Sequence, residues 1–117
     1  MKRLLLLFVL IGLTSCDDLI EVVDISKETV IILAPTQGSV IDTTRVVFTW
    51  EQVKEAENYH LQVATPTFEN AIQIVVDTLL VSTSYSAQLE KAEYEWRIKA
   101  ENSDYQTNFT KSRFRVE

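Results

Sequence analysis

Polar and apolar residues alternate without a slip through Tyr94-Glu95-Trp96-Arg97-Ile98-Lys99-Ala100. Side chains of a strand switch faces at every residue, so this stretch predicts a half-buried strand with its aromatics in the core. The same period recurs elsewhere. Val46, Phe48 and Trp50 share one parity of residues 45–50, and Tyr59, Leu61 and Val63 share one of residues 59–63. Tyr85, Ala87 and Leu89 do so in residues 84–89, and Phe114 and Val116 in residues 109–117. Residues 30–33 form a short β-rich run closed by Pro35 and Gly38. Residues 71–76 are apolar on both parities, which predicts a strand whose outer face is either covered or adhesive. Residues 51–58 are a charged connection too short for a stable helix. Gly38 is the only glycine after residue 12, so the remaining turns fall to Asn58, Asn70, Asn102 and Asp104, residue types that tolerate left-handed backbone. Seven short strands at this spacing predict an all-β, two-sheet sandwich of immunoglobulin-like type over residues 30–117.

The N-terminus follows another pattern. Lys2 and Arg3 precede an apolar run over residues 4–13. As a helix, ten residues cover roughly 15 Å, about half of a bilayer core, so the run is a signal-peptide core and not a membrane span. It ends at Leu13-Thr14-Ser15-Cys16, which resembles the lipobox of bacterial lipoproteins. The resemblance implies cleavage after residue 15 and a diacylglycerol thioether on Cys16, hence a membrane partner through the lipid. One acyl chain is a marginal anchor, and two or more hold stably. Residues 16–29 then read as a lipidated cysteine and tether, with Leu19, Val22, Val23 and Ile25 available to dock. Acidic Asp17 and Asp18 loosely resemble export signals of surface lipoproteins. The expected location is the outer membrane, on its cell-surface or periplasmic side.

Charge narrows the function. Residues 16–117 carry nine Lys/Arg against 17 Asp/Glu, a formal charge of −8. Phosphate binding needs a basic surface, so nucleic acid is not the expected partner. Cys16 is the only cysteine, which leaves no disulfide once it is lipidated. The only histidine, His60, falls on the outward parity of its strand. No Cys/His, Ser/His/Asp or metal-ligand set can be assembled, and no carboxylate pair is flanked by a groove. The expectation is a non-enzyme with no cofactor and no metal.

The ordered pattern Val46-x-Phe48-x-Trp50, Ala56-x-x-Tyr59-x-Leu61-Gln62-Val63, Leu89-x-x-x-x-Tyr94-x-Trp96-Arg97-Ile98-x-Ala100-x-Asn102 and Phe114-x-Val116 resembles fibronectin type III domains. More closely, it looks like those on accessory surface lipoproteins of Gram-negative polysaccharide-uptake systems. The resemblance implies a core tryptophan at Trp50 and a tyrosine corner at Leu89/Tyr94. Glu90-Lys91-Ala92-Glu93 stands where the family usually has a Pro/Gly turn. The implied function is a lipid-anchored envelope binding module for a glycan or a surface protein. The alternative is a structural or adaptor subunit docking through residues 71–76. Two surfaces are candidates for a ligand. One is the outer face carrying Arg97, Lys99, Lys111, Arg113 and Arg115, with Glu95, Glu101 and Glu117 offsetting part of that charge. The other is the loop with Asn102, Asp104 and Tyr105, beside residues 51–58, at the pole where the first strand begins. Asp42-Thr43-Thr44 and Asp77-Thr78-Leu79 resemble short O-glycosylation sites at Thr43 and Thr78.

Overall fold

The structure is a computed structural model that describes residues 21–117. The signal segment 1–15, Cys16 and Leu19 lie outside the described residues. Eight strands follow in order: β1 (Ile32–Ala34), β2 (Ser39–Ile41), β3 (Arg45–Trp50), β4 (Asn58–Thr65), β5 (Gln73–Leu80), β6 (Ser84–Gln88), β7 (Ala92–Glu101) and β8 (Thr110–Val116). They form a three-stranded sheet, β1-β3-β6, and a five-stranded sheet, β2-β8-β7-β4-β5. The all-β two-sheet sandwich expected from the alternation is the architecture observed.

Each parity prediction places its residues inside. Trp50, Phe48, Trp96, Leu61, Ile98, Tyr59, Tyr94 and Phe114 are all buried between the sheets. Phe48 meets the Trp96 ring edge-on at 4.9 Å, and Trp50 meets Tyr59 at 5.7 Å. Edge-to-face contacts suit the ring quadrupoles, so the aromatics of both sheets interlock rather than merely share a volume. The Trp96 indole N–H donates to the Pro35 carbonyl at 3.1 Å, tying the five-stranded sheet to the turn after β1.

Four differences from the sequence expectation have physical reasons. β2 is an addition to the seven expected strands: it is three residues long and runs parallel to β8, too short to show a period. The strand expected at 71–76 lies instead at Gln73–Leu80. A bulge beside Val63 and Ala64 leaves Val75 as the extra residue, so Val75 and Val76 both pack on the core. Ile72 and Ile74, the other large apolar residues of that stretch, stay exposed. The left-handed residue among the described non-glycines is Glu55, with φ 72°, and none of the expected Asn or Asp positions. Finally, Ile25, one of the tether residues expected to dock, is buried in the core cluster, so the packed domain begins five positions before residue 30.

Candidate functional site

The outer face of the five-stranded sheet is built by the polar parity of β4, β7 and β8. In register, Arg97 lies opposite Lys111 and Gln62, Lys99 opposite His60, and Glu95 opposite Arg113. All five cations of the sequence reading therefore share this face. They do not stand free as a group. Arg113 Nε donates to Glu95 Oε2 at 3.4 Å, Arg115 Nε to Glu117 Oε2 at 2.8 Å, and Lys99 Nζ lies 3.8 Å from Glu101. These are the three acids expected to offset the charge.

Arg97 has a different environment. Its guanidinium lies 4.0 Å from the Phe68 ring centroid and 4.3 Å from that of Phe109, and its Nε donates to Gln62 Oε1 at 2.8 Å. Cation–π contacts of this kind hold a guanidinium in place once it is partly desolvated. Sequence reasoning missed this clamp, because Phe68 comes from the loop after β4 and only tertiary folding lays that loop across the sheet. Glu95 fastens the same loop. It is 4% exposed although it sits on the polar parity, and its Oε1 accepts the Phe68 backbone N–H at 2.9 Å. Next to the clamp, His60 Nε2 lies 2.7 Å from Asp77 Oδ1, and the His60 ring packs 5.8 Å from Phe109. Hydrogen bonds from His60 and then Gln62 hold the Asp77 carboxyl below the usual carboxylate range, against a small opposing effect of burial.

What remains open on this face is its β8 margin. Lys111, Arg113 and Arg115 are exposed. Arg113 and Arg115 also border a shallow cleft of about 170 Å³ against Gly38, Val40 and Pro66. Gly38 adopts φ 82° there, a turn conformation that a side chain would strain.

The second candidate, the loop after β7, is a tight turn. Asn102 Oδ1 accepts the backbone N–H groups of Asp104 and Tyr105 at 3.1 and 2.9 Å. Its Nδ2 donates to the Val23 carbonyl at 2.9 Å and to that of Glu55 at 3.3 Å. The Asn102 side chain is thus engaged in joining three segments. Asp104 and Tyr105 stay exposed, around a shallow hollow of about 280 Å³. The loop stands beside residues 51–58, as expected, since Glu57 N–H donates to the Glu101 carbonyl at 2.7 Å. Thr43 and Thr78 fall in different places. Thr43 is exposed, with its hydroxyl donating to the Arg45 carbonyl, and Thr78 is half-buried on β5. Among the described residues no group of three His, Cys, Asp or Glu side chains is placed to hold a metal ion.

No family model matches the sequence, and no curated protein matches it significantly. Solved structures do resemble the fold. The fibronectin(III)-like modules of Clostridium thermocellum CbhA align with a TM-score of 0.56 at 12% identity, covering 76% of this chain and 96% of that one. The structure of FN3tt aligns at 0.54 and 12% identity, covering 75% and 95%. The fibronectin type III domain derived from human KIAA0970 protein aligns at 0.54 and 14% identity, covering 75% and 72%. The fold is a fibronectin type III-like sandwich. At these identities the likeness concerns the fold alone, a scaffold that hosts many roles.

Proposed function

We propose that this chain is a lipid-anchored, non-catalytic binding module of the cell envelope, held at the outer membrane through Cys16, whose ligand is a glycan or a surface protein. One observation carries the reading: the N-terminal segment is fastened to a single pole. Asn102 grips the Val23 carbonyl there, and Ile25 is buried close by in sequence. Val23 is seven residue steps from Cys16, a reach of at most about 25 Å. A chain anchored at Cys16 therefore holds the loop of Asn102, Asp104 and Tyr105 toward the membrane. The flank of the sandwich is left clear of the tether, with Lys111, Arg113 and Arg115 exposed on it, Arg97 and Lys99 half-buried, and the Gly38 cleft at the far end. The paired cations are preorganised, which lowers the entropy cost of engaging an anionic or polyhydroxylated ligand. The adaptor alternative is favoured by a separate observation, the open edge of β5.

Protease shaving of intact cells, with an antibody to residues 30–117 and a lysed control, tests the location. Loss of signal from intact cells is expected. Protection until lysis would overturn surface display and move the reading to a periplasmic adaptor. Cys16→Ser should leave the precursor unprocessed by the lipoprotein peptidase. On a glycan array, the combined Arg97→Glu, Arg113→Glu and Arg115→Glu variant should lose binding shown by the parent protein. Unchanged binding would exclude this face.

A further inference from the structure

The sandwich has four sheet edges, and three are blunted. β1 and β2 have three residues each, and β1 is irregular in register and is followed by Pro35. β6 has five residues and turns Ser84, Ser86 and Gln88 outward. Natural proteins protect exposed edges by such means, together with lysine, proline and bulges. β5 is the exception. It has eight residues with no lysine, arginine, proline or glycine. Its bulge at Val75 leaves 76–80 as a regular run along the outermost ladder. Leu79 is 61% exposed on that run, with Val81 at 84% just beyond it and Ile72 at 86% before the strand.

Charge indicates what fits this edge. Residues 69–90 contain Glu69, Asp77 and Glu90 and no lysine or arginine. Five of the nine Lys/Arg of residues 16–117 lie on β7 and β8, on the far side of β4, and Lys91 borders a hollow at the Gln73 and Val75 end of β5, away from Asp77 and Leu79. Asp77 and Leu79 both point to the outer face, and the Asp77 side chain is 56% exposed despite its contact with His60. Two copies paired antiparallel about Asp77 would set that carboxylate against itself, and a slide of one strand by two residues would set it against Leu79. Neither is favourable across a strand pair.

We infer that β5 is a docking edge for an extended segment of another protein, added as a sixth strand, that carries a basic residue opposite Asp77 and an apolar residue opposite Leu79. Backbone hydrogen bonds supply the affinity in strand addition, and the alternate side chains supply the choice of partner. The inference rests on the binding-module reading for its place in the cell and deepens its adaptor form by naming the chemistry of the partner.

The test uses amide hydrogen exchange on the whole chain in detergent micelles. The probes are a synthetic peptide, Thr-Ile-Thr-Lys-Thr-Ile-Thr, and its counterpart with Glu in place of Lys. With the Lys peptide at ten times its Kd, exchange across 76–80 should slow roughly tenfold. The Glu peptide should do much less. Leu79→Lys, a change at an exposed position, should abolish the effect while exchange in β7 stays as in the parent. An equal response to both peptides, or none, overturns the proposal. Slowing that follows protein concentration without peptide would make the occupant a second copy and overturn it too. Such failure is separable from failure of the broader reading: a shaved, glycan-binding chain with no peptide response keeps the one and loses the other.

Discussion

The Tyr94 hydroxyl donates to the Glu90 carbonyl at 2.6 Å, four residues upstream on the same chain. This is the tyrosine corner that Leu89 and Tyr94 imply, closed over Glu90-Lys91-Ala92-Glu93 without proline or glycine. The ring fills the core beside Phe114, with centroids 5.4 Å apart, while the hydroxyl ties down the turn between β6 and β7. Tyr94→Phe removes the bond and keeps the ring. The expected cost is about 1 kcal/mol in urea unfolding, and no cost would make the corner ornamental.

The same tyrosine gives the alkaline limb of stability a direction. Burial, then the nearby Glu90 carboxylate, raises its pKa above the ordinary 10.0. The unfolded chain then releases this proton at lower pH than the folded one. The stabilisation is complete below the unfolded value and is lost as pH rises through the folded one. Unfolding curves above about pH 10 should therefore be less steep in pH for Tyr94→Phe than for the parent.

Trp50 and Trp96 are both buried, but their indole nitrogens differ. Trp96 Nε1 is bonded to Pro35, whereas Trp50 Nε1 has no partner among the described residues. Replacing either by Ala should cost about 3–5 kcal/mol. Replacement by Phe should separate them, with Trp96→Phe costlier than Trp50→Phe by about 1 kcal/mol because only the former breaks a hydrogen bond. Chemical denaturation of the two variants measures the difference, and the reverse order would contradict the assigned contacts.

Glu95 and Arg113 form an asymmetric pair. Glu95 is buried and holds the Phe68 N–H, while the Arg113 side chain is 58% exposed. Glu95→Ala should cost about 1–3 kcal/mol and expose the Phe68 amide to exchange. Arg113→Ala should cost under about 1 kcal/mol, as for exposed ion pairs. Equal costs would show that the ion pair, not the loop contact, dominates.

Asp77 sets a pH dependence of opposite sign to Tyr94. Its lowered pKa makes a stabilising contribution that is present above the unfolded value near 3.8 and lost as pH falls through the folded value. Stability should decline less steeply below about pH 4 in Asp77→Asn. In His60→Ala the Asp77 carboxyl resonance should titrate at higher pH than in the parent. An unmoved resonance would detach the two residues.

Alternation alone identified the core parity of β3, β4, β7 and β8, because a buried face imposes a period of two that survives any detail of packing. It also placed the five cations on one face, since parity carries every residue of a strand together. It could not show that Arg97 is clamped by Phe68 and Phe109, or that Glu95 is buried. Both depend on the loop after β4 folding across the sheet, and a loop has no period from which its path can be read. β2 and the bulge at Val75 escaped for the related reason that three residues, or one inserted residue, leave no pattern.

By itself, then, the sequence determined the fold class and the inward faces, since both arise from local alternation, while the tyrosine corner came from the resemblance to fibronectin type III domains. Only the tertiary structure decided which polar residues are free. Asn102 is drawn into holding Val23 and Glu55, three acids meet three of the cations, and β5 is left as the long open edge. Exposure of a polar group depends on what residues distant in sequence bring beside it, and no pattern along the chain records that.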